Sequence, residues 1–78
     1  MSRVRLLAKP GCHLCDDARL VIQQVCRELD ESYDEVDITT DGALTEEYGE
    51  QIPVTFVDGR QHDYWRVDAD RLRRALTR

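Results

Sequence analysis

Cys12 and Cys15 stand three positions apart in the run Lys9-Pro10-Gly11-Cys12-His13-Leu14-Cys15-Asp16-Asp17, and this pair is where the sequence concentrates its chemistry. An apolar stripe continues from them at Leu14, Ala18, Val21, Ile22, Val25 and Leu29. That period is helical and sets Cys12 at the amino end of a helix. The unpaired N–H groups and positive dipole of such an end stabilise a thiolate, the form of cysteine that attacks disulfides. His13 and Lys9 bring cations close to Cys12 and act in the same direction, whereas the carboxylates of Asp16 and Asp17 oppose it. Cys15 falls on the stripe side and is expected to be the more enclosed thiol.

The pair needs a strand before it and a helix after it. Residues 3–8 are rich in Val and Leu and suit a strand buried on both faces, which Pro10-Gly11 ends. The helix is expected from Cys12 to Leu29, with Asp30-Glu31-Ser32 as its break, followed by an extended segment from Tyr33 to Ile38. Strand, helix and strand in that order form a right-handed βαβ unit with parallel strands. The second strand carries Asp34, Glu35 and Asp37 and reads as a protected edge. A short helix lies within 39–49, with Thr40 or Asp41 as N-cap and Gly49 as terminator.

Ile52-Pro53 precedes Val54-Thr55-Phe56-Val57, the most β-prone run in the chain. Asp58-Gly59 is a two-residue hairpin signal that turns this strand back into a fourth over residues 60–63. Asp68 then N-caps a last helix whose inner face is Ala69, Leu72, Ala75 and Leu76, with Val67 and Leu72 as a hydrophobic staple. The expected architecture is α/β, in the order β-α-β-α-β-β-α, with a four-stranded mixed sheet flanked by three helices.

The chain has 78 residues, a formal charge of −5 and a pI near 4.8. Its size suits one domain with a thin core. Its acidity argues against nucleic acid and anionic membranes as partners. Residues 28–50 hold ten of the sixteen acids and no Lys or Arg, while the last helix carries Arg71, Arg73, Arg74 and Arg78. Acids along a sheet edge and arginines at a helix carboxyl end account for this split. The first residues form no apolar signal core, and no run reaches the roughly 18 apolar residues of a membrane span, so a cytoplasmic location is expected. Thiols there are kept reduced, and a C-x-x-C pair is catalytic or metal-binding rather than structural.

A C-x-x-C at a βα junction, a proline before the third strand and a tight turn after it together resemble the glutaredoxins of the thioredoxin superfamily. More narrowly, Gly11-Cys12-His13-Leu14-Cys15 is similar to the motif of short bacterial glutaredoxin-like proteins. The resemblance spans nearly the whole chain and implies one glutaredoxin-like domain over 1–78 that acts as a thiol–disulfide oxidoreductase and monomer. It implies Cys12 as nucleophile, Cys15 as resolving thiol, a cis Ile52-Pro53 bond facing the pair, and Lys9 at the position of a lysine that contacts the glutathione carboxylate. Gly11, His13 and Leu14 complete the expected site. The implied partners are a protein or small-thiol disulfide and a reductase or dithiol donor. No bound cofactor is implied; glutathione or another thiol would be a cosubstrate.

After the fourth strand the resemblance departs. Glutaredoxins carry a Gly-Gly motif there whose backbone N–H groups bind the γ-glutamyl end of glutathione, and this chain reads Asp63-Tyr64-Trp65-Arg66. Bulky residues do not give the same close backbone approach, so a dithiol donor is expected to outweigh glutathione. The alternative reading is a zinc-binding, iron–sulfur-binding or redox-sensing module without turnover. The chain has no second C-x-x-C and no H-x-x-H, so only a dimer would complete a four-ligand site.

Three further residues invite a role. Cys26 lies eleven positions beyond Cys15 on the same helix, about 16 Å away, whereas a disulfide needs Cα atoms within roughly 7 Å. It reads as a small core residue. His62 is expected to face solvent, and Tyr64 and Trp65 to form the lid of the small core in preference to a substrate platform.

Overall fold

The computed structural model describes residues 2–77. Its elements are β1 (Val4–Ala8), α1 (His13–Leu29), β2 (Tyr33–Asp37), a 3-10 turn (Ile38–Thr40), α2 (Gly42–Tyr48), β3 (Val54–Val57), β4 (Arg60–Tyr64) and α3 (Ala69–Leu76). The strands form one sheet in the order β2-β1-β3-β4. β1 and β2 are parallel, and the other neighbours are antiparallel. This is the expected mixed α/β architecture, with the acidic β2 at an edge. β2 stops at Asp37, one residue short of expectation, because Ile38 turns inward to be buried and starts the 3-10 turn.

Alternation along the strands assigns each helix to a face. Arg5 and Phe56 are cross-strand partners, and the ring of Tyr48 in α2 meets Phe56 edge-on at 5.7 Å, so α2 covers that face. The opposite face presents Val4, Leu6, Thr55 and Val57, and α1 and α3 pack over it. Val4, Leu6, Ile22, Val25, Val54 and Leu72 are fully buried and form the centre of the core. Arg5 is the exposed exception in β1.

Local sequence accounts for the ends of the elements. Asp41 caps α2 by accepting from the N–H groups of Ala43 and Leu44, and Asp68 caps α3 by accepting from those of Asp70 and Arg71. Asp30 ends α1 in a left-handed conformation, φ 56°, and the Glu31 N–H donates back to the Cys26 carbonyl at 2.8 Å. Gly49 ends α2, but with a right-handed φ of −55° rather than a left-handed cap. Asp58 and Gly59 both have positive φ, 52° and 82°, the pairing that a two-residue hairpin needs.

The expected position of His62 is corrected. β3 and β4 lose register between Thr55 and Phe56, so β4 contributes one extra residue, and His62 falls at that bulge. The bulge breaks the alternation that placed His62 outward. Its side chain is only 13% exposed, 4.0 Å from the Asp63 carboxylate.

Of the arginines expected in the last helix, Arg78 lies outside the described residues, and Arg71 and Arg73 do more than complement a helix end. Arg73 makes paired bonds of 2.8 and 3.1 Å to Glu28 of α1, and Arg71 bonds Asp63 of β4 at 2.7 Å. Charges separated along the sequence are thus neighbours across the fold.

Candidate active site

Strand register brings the chemistry to one end of the sheet. Ala8 ends β1 opposite Asp37 of β2, Leu7 pairs with Val54, and Val54 pairs with Tyr64. The Lys9–Cys12 loop, the Ile52-Pro53 bond and Trp65 therefore leave the sheet at the same end. The Ile52-Pro53 bond is cis, as expected from the resemblance. Pro53 is fully buried and Ile52 is 8% exposed.

Gly11 makes the turn into α1 with φ 74°, a conformation that side chains rarely adopt. Cys12 follows as the N-cap of α1, and its Sγ accepts the Cys15 N–H at 3.2 Å. A sulfur thus fills the capping position that Ser or Asp more often takes. Cys12 is partly exposed, and Cys15, one helical turn on, is fully buried.

Burial pushes the Cys15 thiol up to about 11, and its contact with Cys12 acts in the same direction; a backbone hydrogen bond with Lys9 and the charge of Arg19 oppose them. Cys15 is therefore protonated at neutral pH in the reduced protein, and both cysteines are free thiols. Among the described residues, no group of three or more His, Cys, Asp or Glu is placed to hold a metal ion.

The remaining expected residues are spread around the pair. His13 is exposed in the first turn of α1, and Leu14 is 40% exposed. Lys9 reaches Cys15 through its backbone, and the residue also lines a cleft of about 130 Å³ with Arg19, Glu35 and Asp37. Arg19 is a site residue that the sequence reading passed over. It bonds Glu35 at 2.6 and 2.8 Å and Asp16 at 2.7 Å, locking the start of α1 to β2 and placing a cation near Cys15. Its spacing of four from Cys15 on one helix was the available signal.

Tyr64 and Trp65 do not form a lid over the core. Each is 51% exposed, and the rings meet edge-on at 5.0 Å. Trp65 has φ 65°, so the chain takes a left-handed step on a bulky residue. That step directs the Trp65 N–H to the Pro53 carbonyl at 2.7 Å and its indole N–H to the Glu50 carbonyl at 3.0 Å. Cys26 is 3% exposed, and burial raises its thiol as well, which agrees with a packing role.

The sequence model of the glutaredoxin-like domain (DUF836) matches residues 3–77. Uncharacterized protein Rv0508 of Mycobacterium tuberculosis is 35% identical over 85 residues, covering 100% of this chain and 88% of that protein. The X-ray structure of target protein XcR50 from X. campestris superposes with a TM-score of 0.77 at 35% identity, covering 94% of this chain and 93% of that one. Glutaredoxin C1 from Populus tremula x tremuloides is more distant, with a TM-score of 0.53 at 20% identity over 91% of this chain and 70% of that one, and shows the fold alone. The chain belongs to the glutaredoxin-like domain family (DUF836) and has the thioredoxin/glutaredoxin fold.

Proposed function

We propose that this protein is a dithiol thiol–disulfide oxidoreductase in which Cys12 attacks and Cys15 resolves. The asymmetry of the pair carries the reading: one sulfur is partly exposed at a helix end and receives an N–H, and the other is buried and protonated. Cys12, as thiolate, attacks one sulfur of a client disulfide. The other client sulfur leaves and takes up a proton, and a mixed disulfide remains on Cys12. Cys15 then gives its proton to solvent base and attacks the Cys12 sulfur, and the second client thiol leaves. The client has gained two electrons and two protons, and the protein holds a Cys12–Cys15 disulfide.

An external reductant must return that disulfide to two thiols. A flavin-dependent thioredoxin reductase or another dithiol donor suits the site better than glutathione. Lys9 preserves one carboxylate anchor, but Trp65 stands where glycines would open the backbone to the γ-glutamyl end. Buried polar groups of a ligand left without donors weaken its binding.

Trapping tests the assignment of the two thiols. Cys15→Ser is expected to accumulate mixed disulfides with a disulfide client, and Cys12→Ser to form none and turn nothing over. Mixed disulfides on Cys12→Ser would reverse the roles. Robust glutathione-dependent turnover by Cys15→Ser would show a monothiol route instead. Near-stoichiometric metal in the purified protein with no reductase activity would favour the metal-binding module.

A further inference from the structure

Trp65 combines features that packing alone does not require. It adopts a left-handed backbone conformation that strains a bulky residue, it is anchored by both its backbone and its indole N–H, and it still leaves half its surface in solvent. Strain of this kind at a site is a pointer to use. Of the four large apolar side chains exposed among the described residues, three are Leu14, Tyr64 and Trp65, and all three stand at the cysteine end of the sheet.

Trp65 also walls a groove of about 210 Å³ that runs along α1 from Leu14, two residues beyond Cys12. Its other apolar walls include Val21 and Val67, and Asp17 and Arg66 give it one charge of each sign. That volume falls below the roughly 300–1,000 Å³ of pockets that enclose whole small ligands, and it suits one large side chain. The charges nearly cancel, so the groove has no pull for an anion.

We infer that Trp65 and this groove select protein clients that carry a large apolar side chain beside the cysteine under attack. The inference rests on the oxidoreductase reading. A disulfide held at Cys12 must place the client's flanking residues over the adjoining surface, and the large exposed apolar side chains of that groove are Leu14 and Trp65. Burying a client Phe or Leu against them removes apolar area from water on both partners. Trp65 is thus a specificity-determining residue rather than a catalytic one.

The test compares two disulfide-linked peptides that differ only in Phe or Ser next to the cysteine, reduced under a dithiol donor. The parent protein is expected to prefer the Phe peptide by at least about tenfold in kcat/KM, the lower range of what an apolar pocket discriminates. In Trp65→Gly, which suits the left-handed backbone, the ratio should fall below about threefold. Trp65→Phe keeps an aromatic wall and should retain most of the preference. General damage to the site would lower both rates and keep the ratio. The inference is overturned if the parent shows no preference, if Trp65→Gly keeps it, or if Trp65→Phe loses it as completely as glycine does. A parent that reduces neither peptide would overturn the oxidoreductase reading and this inference with it.

Discussion

The two ends of the sheet each have an arginine clasp but differ in what lies beside it. At the end away from the cysteines, the Arg3 guanidinium bonds Asp58 at 2.9 and 3.1 Å, Glu31 at 2.8 Å and the Leu76 carbonyl at 2.9 Å. One side chain there ties the hairpin turn, the second residue after α1 and the end of α3. The Arg3 carbonyl also accepts the Asp58 N–H at 2.8 Å. At the cysteine end the charged clasp is Arg19 to Glu35 and Asp16, set to one side of the pair, while Trp65 and the cysteines are held through N–H groups, Trp65 to Pro53 and Glu50 and Cys15 to Cys12. This leaves Leu14, Tyr64, Trp65 and one thiol open to solvent. The difference within 78 residues lies in what each end leaves uncovered: the Arg3 end closes over its own side chains, whereas the cysteine end, clasped at one side by Arg19, keeps apolar side chains and a thiol in solvent.

Substituting one residue at each end separates the two roles most widely. Cys12→Ser should lower turnover by about a thousandfold or more, since a nucleophile is lost, while unfolding stability stays within about 0.5 kcal/mol because serine is a good N-cap. Arg3→Ala should lower the unfolding midpoint and leave turnover within about twofold. Denaturant titration and a disulfide reductase assay on the same two proteins check both. Turnover lost in Arg3→Ala would show that the ends are coupled.

The buried thiol gives a pH signature. Cys15 is raised from its ordinary 9.0 to about 11, so in alkali the unfolded chain releases its proton before the folded one does. The folded state then binds more protons, and stability falls as pH rises. This contribution is fully present below about pH 9 and is lost progressively up to about pH 11. Unfolding of the reduced protein should follow that window, and Cys15→Ser, with nothing to titrate there, should show a shallower fall. Equal slopes in the two proteins would mean that Cys15 is not the protonated, enclosed thiol described above.

A matched backbone lesion sharpens the comparison. Gly11 and Gly59 both have left-handed φ, 74° and 82°, and an added Cβ at either meets nothing within 4 Å. Alanine at each position therefore costs about 1–2 kcal/mol through backbone strain alone. Gly11→Ala should also slow turnover, because its loop carries Cys12, whereas Gly59→Ala should affect stability only. Equal turnover in the two variants would show that the loop tolerates displacement of the thiol.

Most of the scaffold was legible because local signals agreed with the global fold. The cysteine pair at a βα junction, the acidic edge strand, Asp58-Gly59 and the Asp68 cap are each set by a few adjacent residues, and the structure places all of them as expected. What sequence did not show depends on distant neighbours. The bulge that turns His62 inward arises from how β3 meets β4. The pairing of Arg73 with Glu28 joins residues 45 positions apart. The left-handed step at Trp65 is fixed by carbonyls of Glu50 and Pro53, so nothing in Tyr64-Trp65-Arg66 itself announced it.

Two buried polar side chains test how far the core stands apart from the cysteine end, and their effects should be smaller still. Cys26→Ala removes one sulfur from the core and should cost about 1 kcal/mol without changing turnover. A loss of turnover like that of Cys12→Ser would mark it as a working thiol.

Thr55 is the subtler case. Its side chain is fully buried in β3 between Leu6 and Asp63, and its hydroxyl has no hydrogen-bond partner among the described residues. Valine has nearly the same shape and no hydroxyl to desolvate. An unsatisfied buried hydroxyl costs of order 1–3 kcal/mol, part of which reflects relaxation around it, so Thr55→Val should leave stability unchanged or raise it by about 1 kcal/mol. Turnover should not move, because Thr55 lies mid-sheet rather than at the cysteine end. Urea unfolding decides the matter: a loss of more than about 1 kcal/mol would mean that the hydroxyl is satisfied after all, by an ordered water or by a shift of Asp63. In that case β4 would be held to the sheet partly through a polar link, and the contrast between a polar clasped end and an apolar centre would need redrawing.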